Sequence, residues 1–156
     1  MKSFMKKIIK KILGVNVNEE SRNAWLKNIL TSLPPGQALL DAGAGELRNK
    51  PFCEHLDYVS QDLCQYEGDG NAQGLQTGKW DTSKIDLVCD IVNIPKPDAS
   101  FDVILCSEVF EHLPDVQKAL DEFSRLLKPG GKLIITAPFA SFVHFAPYHY
   151  ATGFSK

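Results

Sequence analysis

The chain has 156 residues, 44% hydrophobic and 23% charged, a composition that fits one globular domain with a substantial core. The net charge of −2 conceals an asymmetry: Lys2, Lys6, Lys7, Lys10 and Lys11 hold five of the 17 basic residues, leaving 12 against 19 acids, a balance of −7, in the remainder. An acidic body argues against nucleic acid as the main partner, no apolar run approaches the ~20 residues of a membrane span, and four scattered cysteines without a C-x-x-C pattern read as reduced thiols in a cytoplasmic protein.

At the N-terminus, Phe4, Met5, Ile8, Ile9, Ile12 and Leu13 share one face of a helix and the lysines the other. Residues 1–13 therefore dock on their own domain or a second copy, or lie on an anionic membrane surface. Lysines within the apolar run argue against a cleavable signal peptide. A second helix is expected from Asn18, as its cap, to about Ser32, with Trp25, Leu26, Ile29, Leu30 and Leu33 as its apolar stripe and Pro34-Pro35-Gly36 as its stop. Residues 1–33 form this helical segment, 34–138 the main domain and 139–156 an aromatic tail.

Gln37-Ala38-Leu39-Leu40-Asp41-Ala42-Gly43-Ala44-Gly45-Glu46 follows, an apolar run ending on an acid and breaking into two glycines. It reads as a buried strand delivered into a loop that a ligand can approach closely, as in nucleotide pockets of open α/β sheets; a plain strand and glycine turn is the rival reading. Tyr58-Val59-Ser60-Gln61-Asp62 ends on a second acid about 20 residues later, where a carboxylate can accept from ribose hydroxyls. Ile85-Asp86-Leu87-Val88-Cys89-Asp90-Ile91 ends a third run on an acid. Aspartates that merely form turns or cap helices explain each acid singly, but three acids at three strand ends share one edge of a sheet. Between Leu63 and Lys84 the chain is polar and glycine-rich, a long irregular connection.

Phe101 to Ser107 is a fourth strand, running into Glu108-Val109-Phe110-Glu111-His112-Leu113, with Pro114 placed where a helix can begin. Val116, Ala119, Leu120, Phe123, Leu126 and Leu127 recur at helical spacing through Lys128. Pro129-Gly130-Gly131 stops that helix, and Lys132 to Pro138 is a fifth strand rich in β-branched residues. Strands alternating with helices imply a parallel sheet.

With these blocks in order, residues Leu39 to Pro138 resemble the class I S-adenosylmethionine-dependent methyltransferases, above all in Asp41-Ala42-Gly43-Ala44-Gly45, in Ser100 to Leu113 and in Leu126 to Gly131. The resemblance implies an α/β fold with a Rossmann-like open parallel sheet of strand order 3-2-1-4-5, with strands 6 and 7 of the family missing here. It implies S-adenosylmethionine as cofactor and S-adenosylhomocysteine as product. The methionine end would lie on Asp41, Gly43, Ala44 and Gly45, the ribose on Asp62 beside Leu63, the adenine on Asp90 and Ile91, and Ser107 and Glu108 would close the loop beneath. Free backbone N–H groups and an acidic rim suit a ligand that carries a carboxylate, an ammonium and a sulfonium. Removing Asp62, an acid on the rim, is expected to spare the fold.

The family often has a third glycine where this chain has Leu47, and Pro51 follows soon after. The first helix is therefore expected to be short or displaced, and a nicotinamide-dependent reductase, which relies on G-x-G-x-x-G, is disfavoured. In the tail, His144 and His149, with His112 as the alternative, are candidates for a general base; these rings could equally form a lid or an interface. Zinc held by His144, His149 and a cysteine lacks a recognised spacing, so no metal is assigned. The function expected is methyl transfer to a small-molecule, saccharide or lipid-type acceptor, the alternative being a non-catalytic cofactor-binding module that works through a partner or as a fragment of a longer enzyme. A chain stopping after the tail is expected to bind cofactor but transfer poorly, and to form a homodimer through its uncovered fifth strand.

Overall fold

The computed structural model describes residues 17–66, 68, 75 and 78–154, so the amphipathic stretch at 1–13 lies outside the described residues. The chain divides into two compact units, Met1–Leu33 and Pro34–Lys156. In the first, helix α1 spans Val17–Thr31. Asn18 lies inside the helix and does not cap it, which corrects the sequence expectation. Leu26, Leu30 and Leu33 are buried, and the Thr31 hydroxyl donates to the Lys27 carbonyl at 2.8 Å, closing the last turn before Pro34. Among the described residues no helix is long and apolar enough to cross a membrane.

The second unit carries the parallel sheet. Its strands are β1 (Ala38–Ala42), β2 (Asp57–Asp62), β3 (Leu87–Val88), β4 (Phe101–Ser107) and β5 (Leu127–Thr136), in the order β3-β2-β1-β4-β5 that the resemblance implies. The central pairings set Leu40 beside Val59 on one side and Ile104 on the other. Because these strands run in one direction, all their C-terminal ends, with every strand-end acid, fall on one edge. At the opposite edge the Asp102 carboxylate accepts from the Ala38 N–H (2.9 Å) and the Lys128 ammonium (2.8 Å), which ties β1, β4 and β5 together.

Helix α2 (Val116–Leu126) covers one face of the sheet with Ala119, Phe123 and Leu126, all buried. Its cap is Asp115, whose carboxylate accepts from the Lys118 N–H, so the helix starts just after Pro114. It ends at Leu126, short of the expected Lys128, because Leu127 already pairs with Phe101 on β4. The Pro129-Gly130-Gly131 segment is then a bulge within β5: pairing jumps from Leu127 to Lys132, and Gly130 takes φ +79°.

The clearest departure is β3, two residues long and ending at Val88, where a short run ending on Asp90 was expected. Asp86 turns its carboxylate onto the Ser60 N–H (2.9 Å) and hydroxyl (2.6 Å), and Asp90 folds back to accept from the Val92 N–H at 3.1 Å. Asp86 thus bonds across to β2 through its side chain, and Asp90 closes a local side-chain turn. Between β1 and β2 the helix expected to be short or displaced is absent: the segment holds turns and a 3₁₀ turn at Lys50–Phe52, and Leu47 sits at φ +59°.

After β5 the tail doubles back. Phe145 donates to the Leu75 carbonyl (3.0 Å), Tyr150 to the Glu111 carbonyl (2.7 Å) and Phe154 to the Pro138 carbonyl (2.9 Å). The Phe154 ring meets Phe110 at 6.2 Å on the core.

Candidate functional site

The loop after β1 is held in three places by the end of β2. Gly43 and Ala44 both donate to the Gln61 carbonyl at 2.9 Å, and Gly45 donates to the Asp62 carboxylate at 2.9 Å. The second Asp62 oxygen accepts from the Cys64 N–H at 2.8 Å. Gln61, fully buried, also passes its amide to the Cys89 carbonyl at 2.7 Å, so one side chain joins β2 to the turn after β3. These contacts correct the expectation of free N–H groups: the three successive donors of the glycine loop are already engaged within the protein. A loop with its donors spent matches a cationic ligand group, which requires acceptors, better than an anionic one.

Glycine is required at Gly43 on two counts. Its φ is +75°, and a Cβ there would lie 2.4 Å from Cγ2 of Val109, the residue after Glu108. Gly43→Ala is expected to lower stability by about 1–2 kcal/mol through left-handed strain and the displaced valine. The double variant Gly43→Ala/Val109→Ala should recover only the steric part, and Glu46→Ala should change little. Urea denaturation of the three variants checks this, and equal stability of Gly43→Ala and Glu46→Ala would make the loop an ordinary turn.

Asp41 sits beneath the loop, 1% exposed. Its carboxylate accepts from the Tyr58 hydroxyl at 2.7 Å. Burial pushes its pKa up to about 6, with the charge of Asp62 adding to the rise, while hydrogen bonds from Tyr58 and Asn49 pull it down. Around the same edge, Leu63 is exposed and Asp90 is exposed, whereas Ile91 is 6% exposed within the core cluster. The Ser107 hydroxyl bonds Thr136 at 2.7 Å, and Glu108, at φ +55°, donates its N–H to the Thr136 carbonyl at 2.8 Å. Ser107 and Glu108 are thereby fixed against β5. Sequence reasoning missed Gln61 and also Trp80, whose ring would lie 3.3 Å from a Cβ on Gly45 and which packs with Tyr66 and Phe145. A polar side chain in a strand one residue before the acid was the available signal for Gln61; Trp80 had none.

Beyond Glu108, the 3₁₀ turn Phe110–His112 and the returning tail bring His112, His144 and His149 together, with ring centroids 4.8–5.9 Å apart. His112 Nδ1 meets the Tyr148 carbonyl at 2.5 Å. Burial drives the His112 pKa down to about 4, the neighbouring histidines adding to the fall and the Tyr148 carbonyl opposing it, and burial also lowers His149. So weakly basic a ring is a poor proton acceptor. Glu111, 1% exposed, sets one carboxylate oxygen 3.8 Å from Nε2 of both His112 and His144. His149 thus joins His112 and His144 in one cluster, and among the described residues no cysteine joins them.

A profile of the family described as a methyltransferase domain matches residues 40–135. A demethylmenaquinone methyltransferase of Renibacterium salmoninarum is 34% identical over 119 residues, covering 73% of this chain and 46% of that protein. A ubiquinone biosynthesis O-methyltransferase of Coxiella burnetii is 42% identical over 53 residues, covering 33% of this chain and 23% of that protein. Among solved structures, phosphoethanolamine N-methyltransferase 2 of Haemonchus contortus in complex with S-adenosyl-L-methionine aligns with a TM-score of 0.56 at 20% identity, over 75% of this chain and 28% of that one, a likeness of fold. The chain spans less than half the length of these relatives.

Proposed function

The chain belongs to the class I S-adenosylmethionine-dependent methyltransferases, and from that membership we propose that it binds S-adenosylmethionine along the C-terminal edge of the sheet and passes its methyl group to a small molecule, of the quinone-precursor kind named for its relatives. The observation that carries the reading is the glycine loop with its donors spent, set above a buried carboxylate and beside Asp62, on the edge where the strands end. The residues fit the cofactor on that ground: an ammonium and a sulfonium ask for acceptors and negative charge. When bound, the cofactor supplies a methyl on a cationic sulfur, already a good leaving group.

The chain's own contribution is placement. Asp62 holds the ribose diol while pinning Gly45, Leu63 and the Asp90–Ile91 turn border the adenine, and Asp41 answers the positive charge of the methionine end. Ser107 and Glu108, fastened to β5, close the floor. The acceptor enters from the side of His112, His144 and His149, and rigid positioning of the two reactants is the main source of rate.

Calorimetry tests the cofactor: saturable binding of S-adenosylmethionine and S-adenosylhomocysteine is expected, and none of NAD. Binding of NAD with neither of the others would overturn the reading. Such transfer of labelled methyl as this chain sustains, expected to be slow, should go to demethylmenaquinol and not to a saccharide; the reverse preference would reject the quinone class.

A further inference from the structure

Three histidines distant in sequence meet behind the Glu108 loop in an arrangement that hydrogen bonding alone does not explain. His112 points Nδ1 at the Tyr148 carbonyl (2.5 Å) and His144 points Nδ1 at the Phe142 carbonyl (2.8 Å). A carbonyl only accepts, so in both rings Nδ1 carries the proton and Nε2 is left with a lone pair. Those two Nε2 atoms each face the Glu111 carboxylate at 3.8 Å. His112 Nε2 and both nitrogens of His149 are buried with no hydrogen-bond partner. Nitrogen lone pairs therefore converge on one another and on a carboxylate, an assembly of acceptors that a cation would relieve.

We propose that His112, His144 and His149, with the Glu111 carboxylate beside them, form a site for one divalent cation of the zinc class. One ligand nitrogen from each ring lies within 4.8 Å of the others. Around tetrahedral zinc, with bonds of about 2.0–2.1 Å, such nitrogens stand roughly 3.3 Å apart, so loading asks for a small inward turn of the rings. Three imidazoles and a carboxylate are a donor set for zinc in preference to magnesium or calcium. The carbonyls of Tyr148 and Phe142 are the outer partners that fix ring orientation in such sites. His112 stands on the turn after β4, while His144 and His149 come from the tail that the Glu111 carbonyl anchors through Tyr150 and Ala151, so a bound ion would fasten the tail to the sheet edge. The inference does not depend on the methyl-transfer reading.

The test is a zinc titration of chelator-stripped protein in competition with a chromophoric chelator, followed by cobalt substitution. One equivalent of zinc should bind, at least 100-fold more weakly to His144→Ala/His149→Ala and to His149→Gln, and unchanged in Cys64→Ser/Cys89→Ser. The cobalt form should show ligand-field bands without thiolate charge transfer, and zinc should shift the ring-proton resonances of three histidines in the unmodified chain, a readout independent of whether the variants fold. No stoichiometric binding, equal binding by the histidine variants, a dependence on the cysteines, or zinc that leaves the histidine resonances unmoved would each overturn the site.

Discussion

Asp62→Ala should weaken binding of S-adenosylmethionine by roughly 30- to 1,000-fold, the loss of two charge-assisted hydrogen bonds to a ribose diol at about 2–4 kcal/mol together. It should also cost the fold about 1–2 kcal/mol, because the same carboxylate accepts from the Gly45 and Cys64 N–H groups, at 2.9 and 2.8 Å. The second effect revises the view of Asp62 as a rim acid whose removal spares the fold. Asp62→Asn keeps one acceptor oxygen for one of the two N–H groups and turns an amide donor toward the other, so it should lose an intermediate share of both stability and affinity. Calorimetry and urea denaturation on the three proteins give both numbers. Wild-type affinity in a folded Asp62→Ala variant would remove Asp62 from the ribose; unchanged stability would show that it does not hold the glycine loop.

What the sequence revealed and what it hid have separate physical causes. The ends of β1, β2 and β4, at Ala42, Asp62 and Ser107, were legible to within a residue because each is a short apolar run cut off by a polar or glycine turn, a signal carried by neighbours in the chain. So was the absence of a regular first helix, since Leu47 and Pro51 act on their own backbone. The length of β3 was not legible: its apolar residues read as a strand, but Asp86 prefers the Ser60 N–H and hydroxyl on another strand. Helix α2 stops at Leu126 for a similar reason, pairing with β4 overriding a helical period that continues through Leu127. The histidine cluster is the extreme case. His112 and His144 are 32 residues apart in number, and only the return of the tail past Leu75 and Glu111 brings them together. Local pattern identified the residue types; their company is a property of the fold.

The contribution of Asp41 to stability should fall as the pH rises from about 4 to about 6, against that of His112, whose lowered pKa adds stability over the same interval, so the effect is read as the difference between Asp41→Asn and the unmodified chain. Its pKa is raised from 3.8 to about 6 in the folded chain, so over this interval the native state keeps a proton that the unfolded chain has released. The group's contribution is thus fully present below pH 4, is lost as pH rises through about 6, and is constant beyond. At about 1.4 kcal/mol per unit the loss amounts to at most about 3 kcal/mol. Asp41→Asn still accepts from Tyr58 but carries no charge, so it should match the wild type near pH 4 and exceed it by up to that amount at pH 7. In the proposed binding mode the cationic methionine end of the cofactor would supply a countercharge to this buried carboxylate. Binding should accordingly release protons near pH 6 and tighten as Asp41 ionises, and Asp41→Asn should bind more weakly and lose that pH dependence. Urea denaturation from pH 4 to 8, with calorimetry in buffers of different ionisation enthalpy, measures both. Parallel stability profiles for the two proteins would show that Asp41 does not bear the cost, and pH-independent binding by the wild type would separate it from the cofactor's charge.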